Sequence, residues 1–299
     1  MKRRLIALIV FLAISSALQA SQCGRNFTDA ELQTLKNENF VIEATEHRNK
    51  TAVKLLLCLG SPDPKVRDGI VYEATSEWLR GNLLDQVTIK TMFDFLINTL
   101  EQANQDSLNF TQPFAALVLS EVLRVDRVKP YLTQNELQKA IKVTTSYMVN
   151  IVDYRGFDEL QGWRHAVAHT ADVFLQLSLN KKVSKVQLNQ LLDAIKSQVS
   201  PQPLHFYVFG EPKRLAMAFI YIVLRGEHTE QEVASYLESV ASPAPFTDWQ
   251  SVYTDKKGLA KLHNTRSFIY SIFAKSALSD NPALKSMQPK LAELIKKIS

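Results

Sequence analysis

Residues 162–179 read GWRHAVAHTADVFLQLSL. Placed on a helix at 100° per residue, His165, His169, Asp172 and Gln176 fall within about 60° of one another. The remaining positions from Ala166 to Leu179 are almost all apolar, and the polar edge contains no Lys, Glu or Arg. A helix apolar over most of its circumference is a buried one, so this edge reads as a lining rather than a solvated face. Histidines at i and i+4 can reach one ion, and Asp172 can serve as third ligand or orient His169 through its ring N–H. In the first turn of such a helix His165 would sit at the positive end, which favours the neutral imidazole that a ligand or base requires. The Glu of an HExxH zinc protease is missing, since Arg164 and Ala166 flank His165. Three readings stay open: a structural hydrogen-bond network, a ligand or catalytic site without metal, and a divalent-metal site on His165, His169 and Asp172.

Other residues are expected to converge on this edge. Glu73 lies between the apolar positions Ile70 and Ala74, which makes it a candidate buried carboxylate that needs a partner. Arg67 and Asp68 read as an ion pair between stacked helices. Asp153, Tyr154, Arg155 and Gly156 lead into Trp163 and the His segment, and Arg155 is placed to meet an anion or a carboxylate. In GEPKRLAMAFIY, Glu211 is expected at an N-cap with Pro212 at N1, and Glu211 is one turn from Arg214. His263, Ser267 and Tyr270 form a further polar edge. The binding residues expected are therefore His165, His169, Asp172, Glu73, Arg155, Trp163, Glu211 and Arg214.

The elements that must position these residues are helices. Capping boxes recur at Thr28/Glu31, Thr133/Glu136, Ser184/Gln187 and Thr229/Glu232. Apolar residues keep helical spacing through 85–102, 113–125, 136–152, 162–179, 186–199, 212–224 and 259–278. There are nine glycines, and LHFYVFG at 204–210 reads as one short strand or an extended loop. No hydrophilic linker is long enough to split the chain, so residues 21–299 are expected to form a single all-α domain. SPDPKVRDGIVYEATSEWL at 61–79 resembles the opening of a HEAT-type repeat, a unit that buries its core by stacking on neighbours. The architecture expected is an irregular α/α layered array of HEAT-like hairpins, with a compact helical bundle as the alternative.

The N-terminus carries Lys2, Arg3 and Arg4, then LIALIVFLAISSAL, then small residues, the pattern of a secretory signal peptide cleaved after Ala20. Periplasmic or secreted localisation follows, with no stable membrane insertion afterwards. Removing those three basic residues takes 35 Lys+Arg to 32 against 30 acidic residues, so the net charge falls from +5 to +2. That balance gives no support to a nucleic-acid partner. The two cysteines, Cys23 and Cys58, can pair in an oxidising compartment, or Cys58 can be a buried small apolar residue.

The segments RDGIVYEATSEWL, DYRGF, GWRHAVAHTADVF and EPKRLAMA resemble, across roughly 60–225, the bacterial family known only as domain of unknown function 2785. The resemblance implies an all-α protein with no assigned activity and supplies no mechanism. Two function classes stand. One is a helical protein that binds a small ligand, peptide or protein partner in a groove lined by the His165/His169/Asp172 edge. The other is a hydrolase, metal-dependent or not, using the same cluster.

Overall fold

In the computed structural model, residues 23–102 and 106–298 are described; the expected leader, 1–20, lies outside them. The fold is all-α, with one two-stranded hairpin. The chain forms two compact units: residues up to Tyr131 with Arg155–His169, and Leu132–Tyr154 with Thr170 onward.

In the first unit, α1 (Asp29–Asn37) starts at the Thr28/Glu31 capping box, and α2 (Thr45–Leu55) runs on into a 3-10 turn at Leu56–Cys58. Next comes α3, a continuous run of Pro64–Val66, a π-helical Arg67–Tyr72 and Glu73–Arg80. The π segment is the irregular part of this run, and such segments recur at functional or tightly constrained places. The antiparallel neighbours α4 (Gln86–Glu101) and α5 (Thr111–Val128) follow, with α4 packed on α2 and α5 packed on α3. Leu55, Leu56, Trp78, Phe93, Phe110 and Phe114 form the core, all nearly or fully inaccessible. The Trp78 indole N–H donates to the Phe40 carbonyl (2.8 Å), which removes the polar cost of burying that ring.

In the second unit, α6 (Gln134–Asn150) packs on α8 (Lys185–Val199), and α9 (Glu211–Leu224) packs on α11 (Lys256–Ala277). Between them in sequence are α7 (Ala166–Leu179) and α10 (Glu230–Val240), and α12 (Gln288–Lys297) packs on α11. The capping boxes at Thr133, Ser184 and Thr229 all form. The 204–210 segment is extended loop without strand pairing, because its backbone groups are taken by side chains. The Tyr207 N–H donates to Asn264 Oδ1 (3.0 Å) and the His205 carbonyl accepts from Asn264 Nδ2 (2.7 Å).

Cys23 and Cys58 are joined in a disulfide spanning 35 residues, with both side chains buried. The bond ties the start of the described chain to the 3-10 turn that ends α2. Closing a loop of that length stabilises by about 4 kcal/mol in the chain-entropy model. Cys58→Ser should therefore lower the unfolding free energy in denaturant melts by about 2–4 kcal/mol. A loss below 0.5 kcal/mol would show that the bridge does not constrain the chain.

Candidate functional site

The His segment departs from the expected helix at its start. Helix α7 begins at Ala166, not at residue 162. His165 precedes it in a left-handed conformation (φ 57°), and its carbonyl accepts the first intrahelical bond, from the His169 N–H at 3.0 Å. His165 is thus outside the helix and not one turn below His169 on a common face. Residues 157–163 form a small hairpin instead, pairing Phe157 with Trp163 and Asp158 with Gly162. The hairpin base is closed by Arg164 N–H to Gly156 O (2.9 Å) and His165 N–H to Arg155 O (3.1 Å). Its tip is an Asx turn in which the Asp158 carboxylate accepts from the Leu160 and Gln161 N–H groups.

Gly162 shows why the helix cannot start earlier. Its φ is +69°, and a Cβ there would come within 2.8 Å of Pro64 Cβ and 3.1 Å of both Arg67 Nη2 and Asp68 Oδ2. Only glycine meets both demands, the left-handed backbone and the close approach to α3.

Both imidazoles are buried in the first unit, at 8% and 7% exposure. His165 stacks on the Trp163 indole (centroids 4.7 Å apart, planes 21°) and meets His169 edge to face at 5.7 Å. His169 continues to Phe114 at 5.3 Å, and Trp163 meets Phe157 at 5.1 Å. The result is one ladder of rings: Phe157, Trp163, His165, His169, Phe114. His169 Nδ1 lies 3.1 Å from the Pro113 carbonyl. That oxygen only accepts, so the proton sits on Nδ1.

Beside the ladder is a set of buried charges. Arg67 has no exposed side-chain surface. Its guanidinium lies over the rings of Phe110 (3.9 Å) and Phe114 (4.7 Å), and it donates to the carbonyls of Ser61 (2.8 Å) and Gln161 (2.7 Å). Arg67 Nε pairs with Asp68 Oδ1 at 2.8 Å. The pair is formed by adjacent residues, not between stacked helices as the sequence led one to expect. Burial draws the Arg67 guanidinium below its usual range against the pull of Asp68. Burial also pushes the Asp68 carboxyl up, against the opposing effects of Arg67 and the Trp163 N–H. Arg164, also buried, lies over Phe110 at 4.2 Å and donates to Leu108 O (2.8 Å) and Gln161 Oε1 (2.7 Å). Asp106 braces the same corner, accepting from the N–H groups of Leu108, Phe110 and Thr111. Two guanidiniums on one phenyl ring hold the hairpin to α3 and α5.

The remaining expected residues go elsewhere. Glu73 is exposed and pairs with Lys36, so it is not the buried carboxylate the pattern suggested. Its position in the first turn after the π segment turns it outward. Arg155 is exposed at the hairpin base, with one N–H reaching Leu108 O at 3.4 Å. In the second unit Asp172 pairs with Arg214, which therefore does not pair with Glu211. The N-cap of α9 is Gly210 (φ 92°), which makes Glu211 the first residue and Pro212 the second, one position later than expected. The Glu211 carboxylate is buried and accepts from the Phe209 N–H at 3.0 Å; burial raises its pKa. His263 is exposed, with Nε2 2.9 Å from the Tyr207 carbonyl, and Tyr270 is exposed as well. Among the described residues, no three His, Cys, Asp or Glu side chains are arranged to hold a metal ion.

Sequence reasoning named Trp163, His165 and His169 but missed Phe110, Gln161 and Arg164 as their support. Gly162 beside Trp163 was the available signal, since a glycine inside a helical pattern marks a turn as readily as a helix.

A model built from the proteins of unknown function DUF2785 matches residues 96–274. The chain belongs to that family. The matched span includes DYRGF, GWRHAVAHTADVF and EPKRLAMA, and it extends past 225 to take in nearly all of α11. The segment RDGIVYEATSEWL at 67–79 lies before it, so the roughly 60–225 resemblance is displaced toward the C-terminus. Phe110, Arg164, His165 and His169 fall inside the DUF2785 match, whereas Arg67 and Asp68 fall outside. No curated protein and no solved structure matches the chain.

If the ring ladder is a packing element, His169→Ala should cost about 1–3 kcal/mol in denaturant unfolding, through lost ring contacts and a freed Pro113 carbonyl. A variant as stable as the parent would mean that His169 is held for something other than packing.

Proposed function

We propose that this protein is an exported, non-enzymatic binding protein that engages a protein partner through the 157–163 hairpin. One observation carries the reading. The chain buries two arginines against one phenyl ring to fix a hairpin whose outer residues, Phe157 (48% exposed) and Leu160 (86%), face solvent. Burying a guanidinium costs several kcal/mol before compensation. That cost is disproportionate for a seven-residue loop with no core of its own. It makes sense where the apolar tip must be presented rigidly, because a pre-ordered contact loses less entropy on binding. Asp158 and Glu159 flank the tip, both exposed. The partner surface this fits is an apolar cleft edged with Lys or Arg. A hydrolase at His165, His169 and Asp172 is disfavoured by the burial of both rings and by the engagement of Asp172 with Arg214.

Export rests on the basic and apolar N-terminus together with the Cys23–Cys58 bridge, a bond typical of oxidising compartments. A chain beginning at Ser21 is expected by intact mass; retention of Met1 would contradict export.

The binding reading is tested by a photo-crosslinking amino acid placed at Leu160, with Leu278 (89% exposed) as the control position. A discrete protein adduct at 160 and none at 278 is expected. A Phe157→Ser/Leu160→Ser double variant should weaken affinity for the purified partner by at least about tenfold, with the thermal midpoint unchanged. Equal adducts at both positions, or unaltered affinity in the double variant, would refute the reading.

A further inference from the structure

The extended segment LHFYVFG at 204–210 is held to the second unit along one edge. Asn264, buried in α11, donates to the His205 carbonyl (2.7 Å) and accepts from the Tyr207 N–H (3.0 Å). His263 Nε2 lies 2.9 Å from the Tyr207 carbonyl. The Asn264 amide thus stands where the peptide group of a neighbouring strand would stand. The rings follow the alternation of a strand. His205 and Tyr207 both pack on Tyr154, at 5.4 and 5.9 Å, whereas Phe206 between them meets His263 at 5.7 Å.

Alternate residues of an extended chain aim their N–H and C=O groups at opposite edges. With His205 and Tyr207 turned to α11, the second edge carries Leu204, Phe206 and Val208. Among the described residues, no main-chain group of these three is hydrogen-bonded. Main-chain groups buried without a partner are rare in native proteins, so this edge faces water. Val208 is 67% exposed, and His205 and Phe209 are exposed beside it. Open strand edges are ordinarily blunted by charged residues or proline. Residues 204–209 contain no Lys, Arg, Asp, Glu or Pro.

We propose that 204–208 is a docking edge for an extended segment of a partner polypeptide, which adds to it as a β-strand through the main-chain groups of Leu204, Phe206 and Val208. Apolar side chains at alternate positions of that segment lie beside Phe206 and Val208, because cross-strand neighbours share a face. A second copy of this chain fits less well. A three-residue edge is about 10 Å long and supplies only a small part of the roughly 1,000 Å² that a stable contact between folded bodies buries.

Amide exchange of the purified protein, with and without a library of acetylated heptapeptides carrying Val, Ile or Phe at alternate positions, tests this. Without peptide, the Phe206 and Val208 amides should exchange fast and the Tyr207 amide slowly, since only Tyr207 has an acceptor. The best peptide should bind in about the millimolar range or tighter. At saturation it should slow Phe206 and Val208 at least about tenfold and leave Tyr207 unchanged. N-methylation along the pairing edge of that peptide should abolish binding, and methylation along its other edge should not. Val208→Pro, which removes one donor and blocks the edge, should weaken binding at least about tenfold, whereas Val208→Thr, which keeps the N–H, should not. Should Val208→Pro fail to fold, the exchange pattern and the methylated peptides decide. Slow exchange of Phe206 and Val208 in the free protein, no peptide bound at millimolar concentration, binding indifferent to which edge is methylated, or full affinity in a folded Val208→Pro would each overturn the proposal. So would dimerisation that protects the same two amides, since it would give the edge to a second copy.

Discussion

The burial of Arg67 is the constraint on which the first unit is organised. A guanidinium cannot lose its charge at any ordinary pH, so once inside it must find donors' partners and π faces for all of its surface. Here the Ser61 and Gln161 carbonyls, the Asp68 carboxylate and the rings of Phe110 and Phe114 provide them. Each of these partners in turn fixes a different part of the chain. Ser61 anchors the turn before α3, Asp68 the π segment, Phe110 and Phe114 the start of α5, and Gln161 the hairpin. Remove the cation and the hairpin carbonyl loses its donor. Remove the hairpin and the cation keeps an N–H without an acceptor.

The histidines take their meaning from that arrangement. His165 adopts a left-handed backbone because the hairpin must close before α7 can begin. Its ring is then laid on Trp163, and His169 is laid between His165 and Phe114. Imidazoles in such a ladder have small, flat, partly polar surfaces that can pack on aromatic faces while one nitrogen reaches a carbonyl. The polar edge is therefore compatible with burial without invoking catalysis, and the exposed chemistry of this region passes to Phe157, Leu160 and the acidic residues between them.

Much of this was legible in the sequence. Capping boxes at Thr28, Thr133, Ser184 and Thr229 marked helix starts that form as read, because a cap is a local interaction of four residues. The all-α class followed from the caps and the apolar periodicity, whereas the pairing of Cys23 with Cys58 stayed open until the structure showed the bond. What escaped was non-local. Arg67 meets Gln161 across 94 residues, and nothing in the periodicity of either segment announces the other. The start of α7 was misplaced for a related reason. Trp163 and His165 continue the apolar pattern of the helix, but Gly162 is pinned against Pro64 and Arg67, and tertiary contact overrides the pattern. Glu73 was read as a buried carboxylate and is exposed beside Lys36, and Glu211 was read at the N-cap, which a left-handed Gly210 occupies instead.

Native-state hydrogen exchange of the hairpin amides tests the central claim, that buried Arg67 and Arg164 hold this loop as firmly as the core holds a helix. The Arg164 and His165 amides donate to the carbonyls of Gly156 and Arg155 at 2.9 and 3.1 Å. If the account is right, both exchange only through unfolding of the first unit, with opening free energies equal to those of the mid-α5 amides, and Arg67→Met releases them to fast exchange while α5 stays protected. Exchange of these two amides at loop-like rates in the unmodified protein would contradict it.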